Sequence, residues 1–281
     1  MRNLQGKSVV ITGAASGIGE ALAQGMARRG ARLLLADIDA PGLMRVVTAI
    51  QANGTECHGH VTDTGNEAAL YALASEALDR LGGADVLINN AGVALVSPVE
   101  GMPTHDAHWL MNINFWGVVH GCQAFLPQLR QRPEAVLVNV SSIFAMVSMP
   151  TQSIYNASKA AVRGFSDALR EELRDTSVTV LTVHPGGIKT NIANKARITD
   201  SRMVAASDQA LRDHFDQVAR TTPTQAASAI IHAIETGKTR LLIGADARVL
   251  DWMFRLVPTR SSAWLSRISK SMSQRAAGHS Q

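Results

Sequence analysis

Ser8-Val9-Val10-Ile11-Thr12-Gly13-Ala14-Ala15-Ser16-Gly17-Ile18-Gly19 decides how the rest of this chain is read. Ser8 to Ile11 reads as an apolar strand, three glycines follow at spacings of four and two, and an alanine-rich helix runs from Gly17 to Arg29, closed by Gly30. Such a turn lets backbone approach a pyrophosphate closely, while the helix N-terminus supplies unpaired N–H groups and a positive dipole end. Glycines also serve plain tight turns, so the motif gains meaning only from the strand before it and the helix after it. Both are present here.

Outward from this point the pattern repeats. Arg32 to Ala36, Asp85 to Ile88, Ala135 to Val140, Val178 to Val183 and Arg240 to Ile243 read as further strands. Helical stretches stand between them at Leu43 to Ala52 and around 66–81, 104–130, 155–174 and 224–236. Strands apolar on nearly every residue, rather than alternating, are covered on both faces, as in a parallel sheet with helices on each side. The expected fold is therefore α/β: one doubly wound, Rossmann-like domain. It should span 1–250, with residues 251–281 as a basic, amphipathic tail.

Composition agrees with that reading. Apolar residues make up 46% of the 281 and charged residues 18%, enough for a substantial core. The N-terminus runs straight into the first strand without a signal-peptide pattern, and no apolar stretch could span a bilayer. A soluble, cytoplasmic protein is expected. Cys57 and Cys122 are too few for a disulfide framework or a metal cluster and read as small buried hydrophobes. No metal site is expected. The net charge of +4 is modest, so nucleic acid is not an expected partner.

Asp37 stands 18 positions beyond Gly19, at the end of the second strand. An acidic side chain there can bond the adenosine ribose hydroxyls and repels a 2′-phosphate, and neighbouring Ile38 and Asp39 bring no cation. This favours NAD over NADP; the plainer alternative is a solvated turn residue. Tyr155 and Lys159 lie four apart on one helical face, where a nearby ammonium would favour the phenolate. A free phenol titrates near 10, too high for efficient proton transfer at neutral pH. Ser142 lies just past the strand 135–140, where ligands of open α/β sheets bind, and its hydroxyl can donate to a substrate carbonyl oxygen. Its neighbour Ser141 reads as a structural turn residue.

At these residues the chain resembles the short-chain dehydrogenases/reductases in their compact single-domain form. The likeness runs from about Leu4 to Asn191, and more loosely to about residue 250. The family's Thr-Gly-x-x-x-Gly-x-Gly matches residues 12–19, and its Asn-Asn-Ala-Gly matches Asn89-Asn90-Ala91-Gly92, which borders the cofactor in the family. Its catalytic asparagine falls on Asn114, its serine on Ser142, and its Tyr-x-x-x-Lys on Tyr155 and Lys159. Its Pro-Gly and following threonine match Pro185-Gly186-Gly187-Ile188-Lys189-Thr190.

The resemblance implies an oxidoreductase moving a hydride between NAD(H) and a carbonyl or secondary alcohol. Tyr155 would exchange the proton, and Lys159 would lower the tyrosine's pKa and hold the nicotinamide ribose. Ser142 would orient the carbonyl, and Asn114 would position a water. Gly13, Ser16, Gly17, Ile18, Gly19, Asp37, His60, Val61, Asn90, Ala91, Gly92, Tyr155, Lys159, Pro185, Gly186, Ile188 and Thr190 would contact the cofactor. A homo-oligomer, dimer or tetramer, joined through the helices at 104–130 and 155–174 is expected by the same analogy.

Three positions depart from the family pattern. His60-Val61 replaces the usual Asp-Val at the adenine, Phe144-Ala145 replaces small residues after Ser142, and His184 precedes Pro185, where it reads as structural. The substrate loop is expected over about 191–222. Its Ile192, Ala193, Met203, Val204 and Phe215, with Ile143, Phe144, Met146 and Met149, suggest an apolar alcohol or ketone. Lys189, Lys195 and Arg197 leave a phosphate or CoA ester open. The tail mixes Trp252, Phe254, Leu256, Trp264, Leu265 and Ile268 with arginines and a lysine. It reads as a helix docked on protein, with a peripheral membrane contact or a lid as the alternatives. An NADPH-dependent biosynthetic reductase and a non-catalytic, cofactor-bound regulator are the competing functions.

Overall fold

The run of β-branched residues in β1 (Ser8–Thr12) has both faces to bury, and its neighbours do the same. In the computed structural model, which describes residues 1, 3–190, 192, 195–199 and 220–257, β1 leads through the glycine loop to α1 (Gly17–Ala27). Then follow β2 (Arg32–Asp37), α2 (Ala40–Gln51), β3 (Cys57–Val61), α3 (Glu67–Leu81) and β4 (Val86–Asn89). A two-residue strand β5 (Leu95–Val96) precedes α4 (Thr104–Met111) and α5 (Gly117–Leu129), which a π-helical turn at Asn112–Trp116 joins. After β6 (Ala135–Val140) and a 3₁₀ turn at Ile143–Ala145 come α6 (Ser153–Glu172), β7 (Val178–Pro185) and β8 (Arg197–Ile198). The order closes with α7 (Pro223–Glu235), β9 (Arg240–Ile243) and α8 (Ala245–Leu256).

Seven strands form one parallel sheet in the order β3-β2-β1-β4-β6-β7-β9. Alternate residues of the inner strands β1, β2, β4, β6 and β7 enter opposite cores. Val9 and Ile11 pack with α1, α2 and α7, while Val10 packs with α3, α5 and α6. The order reverses between β1 and β4, and in such sheets the carboxyl ends at that switch point frame the ligand crevice. Asp39 caps α2 through the Gly42 amide, and Thr222 and Gln225 form a capping box on α7, so local chemistry sets these helix starts.

Besides the small β5–β8 sheet, three features differ from the sequence reading. β3 was not expected, because Cys57-His58-Gly59-His60-Val61 is an edge strand of mixed polarity and lacks the apolar run of a covered strand. The single helix expected over 104–130 is two α-helices joined by the π turn, a feature common at functional sites. The expected division at residue 250 falls inside α8, whose Asp251 is buried and paired with Arg240 and Arg255. Thus α8 belongs to the domain. Residues 258–281, including Trp264, Leu265 and Ile268, lie outside the described residues. Among the described residues no helix is long and apolar enough to cross a membrane, and no His, Cys, Asp or Glu group could hold a metal ion.

Candidate active site

The glycine loop is held by packing too tight for side chains. A Cβ on Gly19 would lie 2.0 Å from the Gly13 carbonyl oxygen, and one on Gly13 would lie 2.8 Å from Cα of Ala91. Asn90 clamps the turn by donating its amide to the carbonyls of Thr12 and Gly13, at 2.9 and 3.0 Å. The Thr12 hydroxyl in turn accepts from the amides of Asn90 and Ala91. Thr12 was not singled out from the sequence. Ser16 precedes α1 without making a side-chain cap among the described residues. The first-turn amides therefore face a position suited to an anion.

Asp37 ends β2 beside Val61 of β3 in the sheet register. One carboxylate oxygen accepts from the Ala15 amide at 2.9 Å and the other from the Asp39 amide at 3.0 Å. This side chain thus shapes the loop, and a carboxylate retains further lone pairs for ribose hydroxyls. His60 turns its ring to the Thr62 hydroxyl at 2.8 Å, and Val61 is 57% exposed. A cation that the sequence neighbourhood of Asp37 did not disclose comes from α2. Arg45 bonds the Ala15 carbonyl at 3.0 Å, but its guanidinium is also paired with Glu20 at 2.6 Å.

The chemical groups converge beyond the ends of β4 and β6. Lys159 is 3% exposed and donates to the Val140 carbonyl at 3.1 Å. A Cβ on Gly92 would meet Nζ of Lys159 at 3.4 Å and Oδ1 of Asn114 at 3.3 Å, so these three residues adjoin. Asn114, fully buried in the π turn, bonds both the amide and the carbonyl of Val93 and also donates to Ser158. Ser142 accepts from the Phe144 amide at 3.1 Å. Ser141 donates to the Lys159 carbonyl, the structural part expected of it. Phe144 packs edge-on to Tyr155 with ring centroids 6.2 Å apart.

Burial dominates the electrostatics here. It raises the Tyr155 pKa, and the Ser142 hydroxyl only partly pulls it back. The Lys159 ammonium lies 5.9 Å from the Tyr155 ring centroid, and burial lowers its own pKa to about 8. His184, at 3.3 Å from the Ser142 carbonyl, is pushed down to about 4 by burial and so stays neutral near pH 7. Burial raises both thiols to about 12, which leaves them inert.

Lysine charge that is costly to bury has a consequence for stability. Below pH 8 folded and unfolded chains both carry the Lys159 proton, and the folded state bears the full desolvation cost. Between about 8 and 10.5 the unfolded chain binds more protons, so stability rises with pH through that window. Lys159→Met should match or exceed the wild-type stability at pH 7, by up to about 3 kcal/mol. That advantage should shrink toward pH 10.5. Urea unfolding at pH 7 and 10 reads both; an advantage independent of pH would contradict the buried ammonium.

At the far end, β7 runs into Pro185-Gly186-Gly187. Ile188 is buried and pairs with Thr221, and the Lys189 amide donates to the Thr221 carbonyl at 2.9 Å, so both bases of the 191–222 loop are joined. Thr190 reaches the glycine loop: a Cβ on Gly17 would lie 3.3 Å from its methyl. Ala193, Met203, Val204 and Phe215 lie outside the described residues. Arg197 is engaged, 2.7 Å from buried Asp106 and 3.5 Å above the Trp109 ring, which removes it as a free phosphate ligand. Ile143 is buried in a cluster with Met146, Val147 and Ala247. Phe144, Met146 and Met149 border a depression of about 510 Å³ that also touches Asn156 and Ala160 but neither Ser142 nor Tyr155.

Comparison with known proteins matches residues 7–201 to the family model described as short chain dehydrogenase. The oxidoreductase SadH of Mycobacterium tuberculosis is 37% identical over 260 residues, covering 92% of this chain and 93% of its own. The 1-deoxy-11-beta-hydroxypentalenate dehydrogenase of Streptomyces avermitilis is 38% identical over 192 residues, 67% of this chain and 71% of that one. A short-chain dehydrogenase/reductase from Burkholderia phymatum, solved in complex with NAD, superposes with a TM-score of 0.83 at 33% identity, covering 91% of this chain and 96% of that one.

Proposed function

The chain belongs to the short-chain dehydrogenase family of oxidoreductases, and from that premise we propose that it interconverts an apolar secondary alcohol and its ketone with NAD(H). The observation that carries the reading is the convergence of Ser142, Tyr155 and Lys159 at the carboxyl end of the sheet, beside Gly92 and the glycine loop. The loop's close-packed turn, the uncapped start of α1 and the carboxylate of Asp37 fit a dinucleotide. The solved Burkholderia phymatum relative, with NAD bound, adds to that fit.

When bound, the nicotinamide accepts or supplies the hydride. Tyr155 takes the alcohol proton in oxidation and returns one to the carbonyl oxygen in reduction. Ser142 donates to that oxygen and stabilises the charge developing on it. Lys159, beside Gly92, would hold the ribose hydroxyls and supply a positive charge to the site. Asn114, locked to Val93, holds the π turn that borders Lys159. Phe144 against the tyrosine ring, and the engagement of Arg197 by Asp106, support an uncharged, apolar substrate.

Arg45 favours a second reading, in which the enzyme is an NADPH-dependent reductase. The guanidinium would then have to leave Glu20 to meet a 2′-phosphate. A panel of secondary alcohols assayed with NAD and NADP in parallel, followed by absorbance of the reduced nicotinamide, separates the two. NAD-linked turnover on apolar alcohols at least about tenfold above NADP, the ratio of a 1.4 kcal/mol preference, is expected. Equal turnover with both would remove Asp37 as the selector, and no turnover with either would remove the proposal.

A further inference from the structure

Beyond the residues that the proposed function uses, one carboxylate enters the site from the far end of the chain. Asp246 is the second residue of α8, and its Oδ2 accepts from the Gly187 amide at 2.6 Å. The fit around it is tight on both sides. A Cβ on Gly186 would lie 2.2 Å from Oδ2, and one on Gly244 would lie 2.2 Å from Oδ1. Gly244 also holds φ at 99°, a conformation that favours glycine. The Gly186 amide is already taken by the Ile243 carbonyl, so the sheet's own pairing ends there. Gly187 is the first amide past the sheet, and Asp246 is the group that receives it.

We infer that Asp246 is the positioning residue for the nicotinamide end of the cofactor: its carboxylate sets the Gly186-Gly187 turn and thereby the placement of Ile188 and Thr190. The inference rests on the dinucleotide reading above. Three contacts carry its effect onward. Thr221 holds the outer side of the segment through the Lys189 and Gly187 main chain, Thr190 meets the glycine loop at Gly17, and Ala247 of α8 packs on Ile143 beside Ser142. A carboxylate at a helix N-terminus is stabilised there without a cation. Among the described residues its hydrogen-bond partner is the Gly187 amide of the turn itself.

The test compares two probes. NADH carries the nicotinamide, whereas ADP-ribose presents only the end bound by the glycine loop and Asp37. Asp246→Ala should weaken NADH binding at least about tenfold, the loss expected for a hydrogen bond to a charged group. ADP-ribose binding should change less than about twofold, well below the 1.4 kcal/mol of a tenfold effect. Asp246→Asn keeps an acceptor oxygen and should recover most of the NADH affinity. If the alanine variant does not fold, Asp246→Glu substitutes for it, since the extra methylene must displace Gly186 or Gly244 and should give the same selective loss. Equal loss of both probes would reduce Asp246 to a general structural prop and overturn the inference; unchanged NADH binding would overturn it too. If the wild type bound neither probe, the dinucleotide reading itself would fail, which is a separate outcome.

Discussion

Tyr155→Phe should lower turnover by at least about 100-fold, the usual contribution of a positioned general acid or base. NADH affinity should stay near the wild-type value. The substitution removes one oxygen and keeps the ring, which Phe144 packs against at 6.2 Å. Lys159 keeps its bond to the Val140 carbonyl, and Ser142 keeps the Phe144 amide, so the cradle is not dismantled. The variant should fold as well as the wild type or slightly better, because the phenol's burial is not favoured by any charge that stabilises it. Steady-state rates and a fluorescence titration with NADH measure the two halves. Retention of more than about a tenth of the activity would take the proton-transfer role from Tyr155, since such roles contribute at least 10²-fold.

Gly19→Ala should abolish tight NADH binding and also cost stability. A methyl there would sit 2.0 Å from the Gly13 oxygen and 2.7 Å from the amide nitrogen of Asn90. Neither neighbour can yield freely, because Asn90 bonds both the Thr12 and Gly13 carbonyls while its own main-chain amide is tied to Thr12. Relief therefore has to come from moving the loop. Overpacking of this kind typically costs about 1–3 kcal/mol, and the displaced loop should lose at least two orders of magnitude in NADH affinity, about 2.7 kcal/mol. Thermal melting and the same titration read both. Wild-type affinity in this variant would show that the loop does not bind the cofactor's phosphates.

Much of the fold was legible because each element's face pattern is written within a few residues. Apolar runs such as Leu33-Leu34-Leu35 feed both cores at once, which requires cover on both sides of the sheet. β3 escaped because an edge strand need not be apolar throughout, and its two histidines and a glycine mask the period. The π turn escaped for another reason. One wider turn in a long helix shifts the apolar pattern by about a single position, too little to interrupt the signal that reveals a helix. The outer face of α8 is exposed, at Trp252 and Leu256, while its inner face holds Ala247 and Asp251, a division that sequence composition around residue 250 did not reveal.

Within the site, the sequence by itself determined which chemical groups are present and which lie on one local surface. These are the glycines at 13, 17 and 19 in their strand–helix setting, Tyr155 and Lys159 one turn apart, and Ser142 just past a strand. Tertiary structure alone decided how strongly those groups are perturbed and which distant residues serve them. Burial, not the neighbouring lysine, sets the direction of the Tyr155 shift. Asp246 reaches Gly187 across 59 positions, and Arg45 reaches Ala15 across 30. Spacing along a helix or strand is dictated by backbone geometry and is readable residue by residue. Desolvation and long-range hydrogen bonds depend on which surfaces the packed layers bring together, and no local stretch of chain encodes that alone.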